Sequence, residues 1–420
     1  MDIAFHYFAV KTMALKAGFS DADAQIIAQN SQMVDDFDFT SYWHCTNVPD
    51  YIKDQPAKYD LCWPFGLFNP AQTGFLCDGL LGYTDYVNLL FERFQKFTCS
   101  PFHFIPQHRD ADDPIVKEYR VVPAELNDGS IISDLLEEAM EQYQTAKPDG
   151  MPHPKLDLMR IGVLLHIFAD TVAHQMFSGF NANVNLVELV QVVNNGTDKD
   201  ETEKYRSRIQ RFLACLKDWA PKFTPAIGHM MLEHIPDLTH LSFEMSYDGK
   251  RYRRDNTEQF IKMAKQILDY LCDCRESPRI EEKDWKAIEQ DLRTMFKLDI
   301  TPFKDQKEIV ANLAPQWSSC FDYSYSYDGE TLKKDFAHGM AALQSPALAN
   351  VDGMEQVCLD HLPSATDIKL LGTDLNVGGQ DALLSTEASE DFYCFNVVAD
   401  EVLIELYGAR PRKFWFADQP

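Results

Sequence analysis

An all-α fold is what this 420-residue sequence predicts, and three observations carry the prediction. Most stretches of the chain keep the apolar period of a helix and are joined by turn-rich loops. Helix start and stop chemistry brackets several of them. Neither an internal repeat nor a low-complexity segment points to a solenoid or a disordered chain. The expected architecture is a multi-helix bundle.

Taken in order, the first helix runs from Ile3 to Ala17, with Lys11 and Lys16 late in it and Gly18 as its stop. Ser20 opens a second, SDADAQIIAQNSQMVDDF, whose early acids suit a helix N-terminus. Residues 37–116 are rich in Pro, Gly and aromatics and predict a long ordered excursion over the core. A helix over Ser130 to Gln144 is broken by KPDGMPHPK, and Leu156 to Phe177 is the most apolar helix of all. Further helices are expected over Leu186 to Val193, Thr202 to Ala220, Thr257 to Cys274 and Glu281 to Phe296. Residues 341–390 lose periodicity, and Asp391 to Tyr407 closes the chain as a helix ending at Gly408. Residues 1–340 are thus expected to form one helical metal-binding domain. Residues 341–420 extend it and return their last helix to the same core.

Charge narrows the function. With 39 Lys and Arg against 65 Asp and Glu, the net charge is −26. Such a chain lacks the cations that displace phosphate counterions, so duplex nucleic acid is a disfavoured partner. An anionic membrane surface is disfavoured too, and no apolar run is long enough to make a transmembrane segment. The amino terminus lacks the basic and apolar regions of a signal peptide. The ten cysteines are scattered, as expected of reduced thiols in a cytoplasmic protein.

Chemistry concentrates in IGVLLHIFADTVAHQMFSGF, residues 161–180. His166, Asp170 and His174 follow one another at i, i+4 spacing, one slanted polar stripe on an apolar helix. His166 and His174 are about 12 Å apart along the axis, too far for both to share one ion whose bonds are near 2 Å. A carboxylate between them is placed to bridge two ions about 3.5–4 Å apart. An Asp in an apolar helix is costly unless paired or metal-bound, whereas a buried His–Asp hydrogen-bond network would be the bland alternative. Further candidates are His6 in the apolar FHYF, the adjacent Asp35 and Asp36, and His229 with Glu233 as a second i, i+4 pair. His44 and His103 stand in the aromatic excursion.

The combination MDIAFHYF, SQMVDDF, LHIFADTVAHQMFSG and IGHMMLEHIPDL followed by RYRRDN resembles an uncharacterised bacterial family of unknown function over roughly residues 1 to 260. More distantly, the early His, the HxxxD helix and the HxxxE pair resemble the zinc-dependent phospholipase C and S1/P1 nuclease superfamily. That likeness implies an all-α enzyme with zinc ions that hydrolyses phosphoesters. Carried over, it makes His166 and Asp170 the HxxxD ligands, His229 and Glu233 the HxxxE ligands, and His6 the early His. Asp35 or Asp36 becomes the early Asp, His44 the His after it, and His174 the His following HxxxD, two residues sooner than in the secreted enzymes.

The expectation is therefore a metal-dependent hydrolase of a small phosphoester, holding two or three Zn2+ ions. The ligands would come from His6, Asp35, Asp36, His44, His166, Asp170, His174, His229 and Glu233. Whichever of Asp35 and Asp36 is not fully coordinated would be general base. The alternative is a metal-binding or structural helical protein without hydrolase activity.

Overall fold

A computed structural model describes residues 1–38, 43–45, 47–56, 58–59, 61–62, 67–68, 70–74, 94–108, 119–145, 155–219, 227–336, 341–343 and 383–408. Helices dominate, but the architecture is mixed α/β, which corrects the all-α expectation. A π-helical turn, Ala4–Ala9, leads into α1 (Val10–Lys16), and α2 follows (Asp21–Asp36). Next come β1 (Trp43–Cys45), α3 (Asp50–Lys53), β2 (Leu61–Cys62) and β3 (Leu67–Phe68). A second π turn, Gln95–Cys99, precedes the short α4 (Ser100–Phe102), and α5 (Ile131–Gln144) and α6 (Leu156–Ala173) follow.

Beyond α6 lie β4 (Glu188–Asn194), β5 (Lys199–Asp200), α7 (Thr202–Trp219), β6 (Leu241–Tyr247) and β7 (Lys250–Asp255). The helices α8 (Asn256–Cys274), α9 (Glu282–Phe296), α10 (Gln306–Phe321) and α11 (Gly329–Phe336) come next. Strands β8 (Ala341–Leu343) and β9 (Leu383–Thr386) and the helix α12 (Glu390–Tyr407) complete the order. Among the described residues, no helix is long and apolar enough to cross a membrane.

The chain divides into two compact units. The first comprises 1–32, 99–146 and 160–328. Its central helix is α8, started by the Asp255 carboxylate accepting from the Glu258 N–H, and packed on α1, α5 and α9. Its four-stranded antiparallel sheet has the order β5-β4-β6-β7. Here the expected helix over Leu186 to Val193 fails: β4 pairs with β6 from Glu188↔Ser246 to Asn194↔Leu241. The valines in this stretch are stiff at χ1 and favour a pleated surface, and pairing partners decide between the two states. The β6–β7 hairpin turns through Asp248 and Gly249, both at positive φ (48° and 71°), the backbone that an Asp-Gly dipeptide adopts readily.

Helix α6 is buried on nearly every side, as its sequence implies. A Cβ on Gly162 would stand 2.3 Å from the carbonyl oxygen of Ile27, so only glycine lets α6 approach α2 this closely.

The second unit comprises 33–98, 147–159 and 329–420, with a sheet of order β2-β3-β1-β9-β8 in which β1 and β9 run parallel. Its aromatic core sets Phe37 4.6 Å from Phe395 and about 6 Å from both Phe336 and Phe392. Residues 71–74 close the carboxyl end of α2. The N–H groups of Thr73 and Gly74 donate to the Phe37 carbonyl, and the Thr73 hydroxyl donates to that of Val34.

Candidate metal centre

The structure brings together His6, His103, His166, Asp170, His174, His229 and Asp237, all within the first unit. The π turn presents His6, the end of α4 presents His103, and one face of α6 presents His166 and Asp170. His174 follows directly, its N–H still bonded to the Asp170 carbonyl as the helix ends. His229 and Asp237 come from the irregular segment before β6.

Asp170 is the hub. Its Oδ1 lies 3.1 Å from His6 Nε2 and takes a hydrogen bond from the Met1 amino group. Its Oδ2 lies 3.1 Å from His103 Nδ1, 3.2 Å from His166 Nε2 and 3.5 Å from His174 Nδ1. Burial disfavours a charge on Asp170, but the charges of His174, the Met1 amino group, His166 and His6 outweigh it and hold the carboxyl well below its usual range. Burial pushes His6 down to about 3, helped by His166 and the Met1 amine. His6 and His166 stack at 3.8 Å between ring centres, an arrangement that disfavours two imidazolium charges. His6 Nδ1 is buried without a hydrogen-bond partner.

A second carboxylate organises the other side. Asp237 lies 3.1 Å from His174 Nε2 through Oδ1, and 3.3 Å from His229 Nε2 through Oδ2. The half-exposed His234 is 3.5 Å from the same Oδ2. Burial opposes ionisation of Asp237, yet His229, the Met1 amine, His174 and His234 keep it well below the ordinary range. Burial likewise pushes His229 down to about 4, against the pull of Asp237.

Wholly within the first unit, two sets have ligand atoms within 4.8 Å of one another: His6, His166 and Asp170, and His174, His229 and Asp237. Imidazole and carboxylate form the donor set that zinc and similar ions take. His166 and His174 fall into different sets.

One sequence assignment looks different in three dimensions. Glu233 stands where an HxxxE helix was expected, but Met230–Leu232 is only a 3₁₀ turn. Gly228 before it and Pro236 after it limit any helix, and Glu233 itself sits at φ 49°. Its carboxylate pairs with Arg208 at 3.1 Å, and Asp237 takes the position beside His229. His103, which sequence left open, is a direct neighbour of Asp170. Asp35 and Asp36 end α2 in the second unit, as does His44 in β1, whose side chain falls outside the described residues. An Asp after Ile-Pro, as in HIPDL, is the turn signal that would have pointed to Asp237.

The surroundings fix these groups. The Phe104 ring stacks on His174 at 4.3 Å between centres. Gly228, at φ 52°, lets the chain pass so near that ring that a Cβ would stand 2.4 Å from its tip. Asp2, pushed up to about 6 by burial, joins the Ala4 N–H to the Thr239 N–H. Arg254 is buried beside the centre, and burial lowers its guanidinium to about 9.

No curated protein and no solved structure matches this sequence. The chain belongs to a family of unknown function (DUF6765), matched over residues 1–396.

Proposed function

We propose that this chain is a metal-dependent hydrolase of a small phosphoester, with zinc as its metal. The carrying observation is the pair of His/Asp sets around Asp170 and Asp237. In this reading His6, His166 and Asp170 hold one ion, and His174, His229 and Asp237 hold another. The residues suit this role, because burial keeps His6 and His229 neutral, as ligands must be, and both carboxyls are kept ionised. His6 Nδ1, without a hydrogen-bond partner, marks a ring whose polar contacts all lie on the Asp170 side.

When bound, such ions supply an activated water and positive charge for the phosphoryl oxygens. His103 would orient Asp170, and His234, half-exposed at Asp237, would face an incoming ester. Asp35 or Asp36 is our assignment for the general base, on the strength of two adjacent acids at one helix end. The net charge of −26 favours small esters over polyanions.

A second reading, a closed structural metal site, is favoured by the complete burial of His6 and His166 and the 1% exposure of Asp170. Metal analysis of protein purified without chelator, beside Asp170→Ala, tests both. Two or three zinc per chain, lost in the variant, support the metal centre. Turnover of p-nitrophenyl phosphate or its diester by the zinc-loaded protein alone then separates hydrolase from structural site. Less than half an equivalent of any transition metal in folded wild type refutes both.

A further inference from the structure

Arg254 is the last residue but one of β7, and its side chain turns inward from a strand whose other cations, Lys250, Arg251 and Arg253, are exposed. Its Nη1 donates to the carbonyls of Val172 (3.1 Å) and Ala173 (2.6 Å), the two residues before His174. Its Nη2 donates to the Pro236 carbonyl at 2.5 Å, one residue before Asp237. Its Nε donates to Asn256 Oδ1 at 2.7 Å. The Asn256 amide in turn donates to the carbonyls of Ile235 and Leu238, both at 2.8 Å, on either side of Asp237. One guanidinium and one amide thus grip the backbone next to both His174 and Asp237. His6 and His166 receive no bond from this pair among the described residues.

We infer that Arg254, with Asn256 as its extension, is the positioning residue that sets the separation of His174 and Asp237, and so governs the second metal set selectively. This rests on the reading that those residues hold a metal. A plain cap on the carboxyl end of α6 would need only the Val172 and Ala173 bonds. The bonds to Pro236, Ile235 and Leu238 instead tie the Asp237 segment to that helix end. The planar fork of arginine reaches three carbonyls at once, whereas a lysine offers one compact ammonium and cannot hold the same geometry. The guanidinium also sets positive charge near the Asp237 carboxylate.

The test is zinc titration of apo wild type, Arg254→Lys and Arg253→Ala, followed by calorimetry and by metal count after dialysis, with circular dichroism to confirm folding. Wild type and Arg253→Ala are expected to take up two equivalents. Arg254→Lys is expected to keep one with affinity within threefold of wild type, and to bind the other at least thirtyfold more weakly. Should Arg254→Lys fail to fold, Asn256→Ser, which removes the outer part of the grip, is expected to weaken the same equivalent about tenfold.

Two equivalents at unchanged affinity in folded Arg254→Lys would leave Arg254 a simple cap and overturn the inference. Loss of both equivalents from folded protein would also overturn it, because the effect would not be selective. No uptake by wild type would sink the metal reading itself, a different result from either.

Discussion

Gly228→Ala tests whether packing behind His174 is as tight as the structure has it. At φ 52°, a residue with a Cβ costs about 1–2 kcal/mol more than glycine. The new methyl would lie 2.4 Å from the tip of the Phe104 ring and 2.9 Å from the next carbon, where ordinary contacts begin near 3.4 Å. The ring tip must therefore retreat by about 1 Å, an overpacking strain worth roughly 1–3 kcal/mol. A flexible exposed ring would swing aside cheaply. Phe104 is 5% exposed and stacked on His174, so it carries the displacement into a proposed ligand. The total is about 2–5 kcal/mol, read as a drop in the urea midpoint at unchanged slope. Zinc titration of the same variant should show one equivalent weakened at least tenfold. A loss under 1 kcal/mol with both equivalents intact would refute the packing argument.

Other perturbations separate the parts of the centre. Asp237→Asn is expected to abolish binding of one zinc while Glu233→Gln leaves both, because Glu233 makes a partly exposed ion pair with Arg208 worth at most about 1 kcal/mol; metal counts decide. Acid should destabilise the metal-free protein. His6 and His229 stay neutral in the fold down to about 3 and 4, while in the unfolded chain they take up protons near 6.5. The unfolded state therefore binds more protons as pH falls below 6.5, and stability drops by about 2 kcal/mol per histidine at pH 5. Urea midpoints at pH 7 and 5 check this, and a flat profile would mean that both imidazoles take up protons as readily in the fold as in the unfolded chain. Gly162→Ala should cost roughly 2–4 kcal/mol by thermal melt, because its methyl meets the Ile27 backbone, which has no rotamer to yield.

What sequence could reveal followed the range of the physics involved. Helical period and caps are local, so α2, α5, α8, α9 and α12 stand where the pattern predicts them, within a residue or two. The i, i+4 stripe on α6 was legible for the same reason. Strand β4 was not, because its state depends on pairing with β6 some fifty residues away. The Asp-Gly turn at 248–249 was a local signal that went unused. His103 and Asp237 reach the centre through irregular backbone, and no spacing rule connects an irregular segment to a helix face. Glu233 shows the converse: a good i, i+4 spacing means nothing where the chain makes only one 3₁₀ turn.

The bond between His6 and Asp170 spans 164 residues of chain. During synthesis at about 5–20 residues per second, the π turn therefore waits roughly 8 to 30 seconds before its partner on α6 is made. All six residues of that turn are buried in the finished fold, four of them apolar or aromatic besides Tyr7 and His6. For that interval the segment can bond Gln25 of α2 through Tyr7 but lacks its partner on α6. The expected consequence is a yield that depends on translation speed and chaperone supply as well as on final stability.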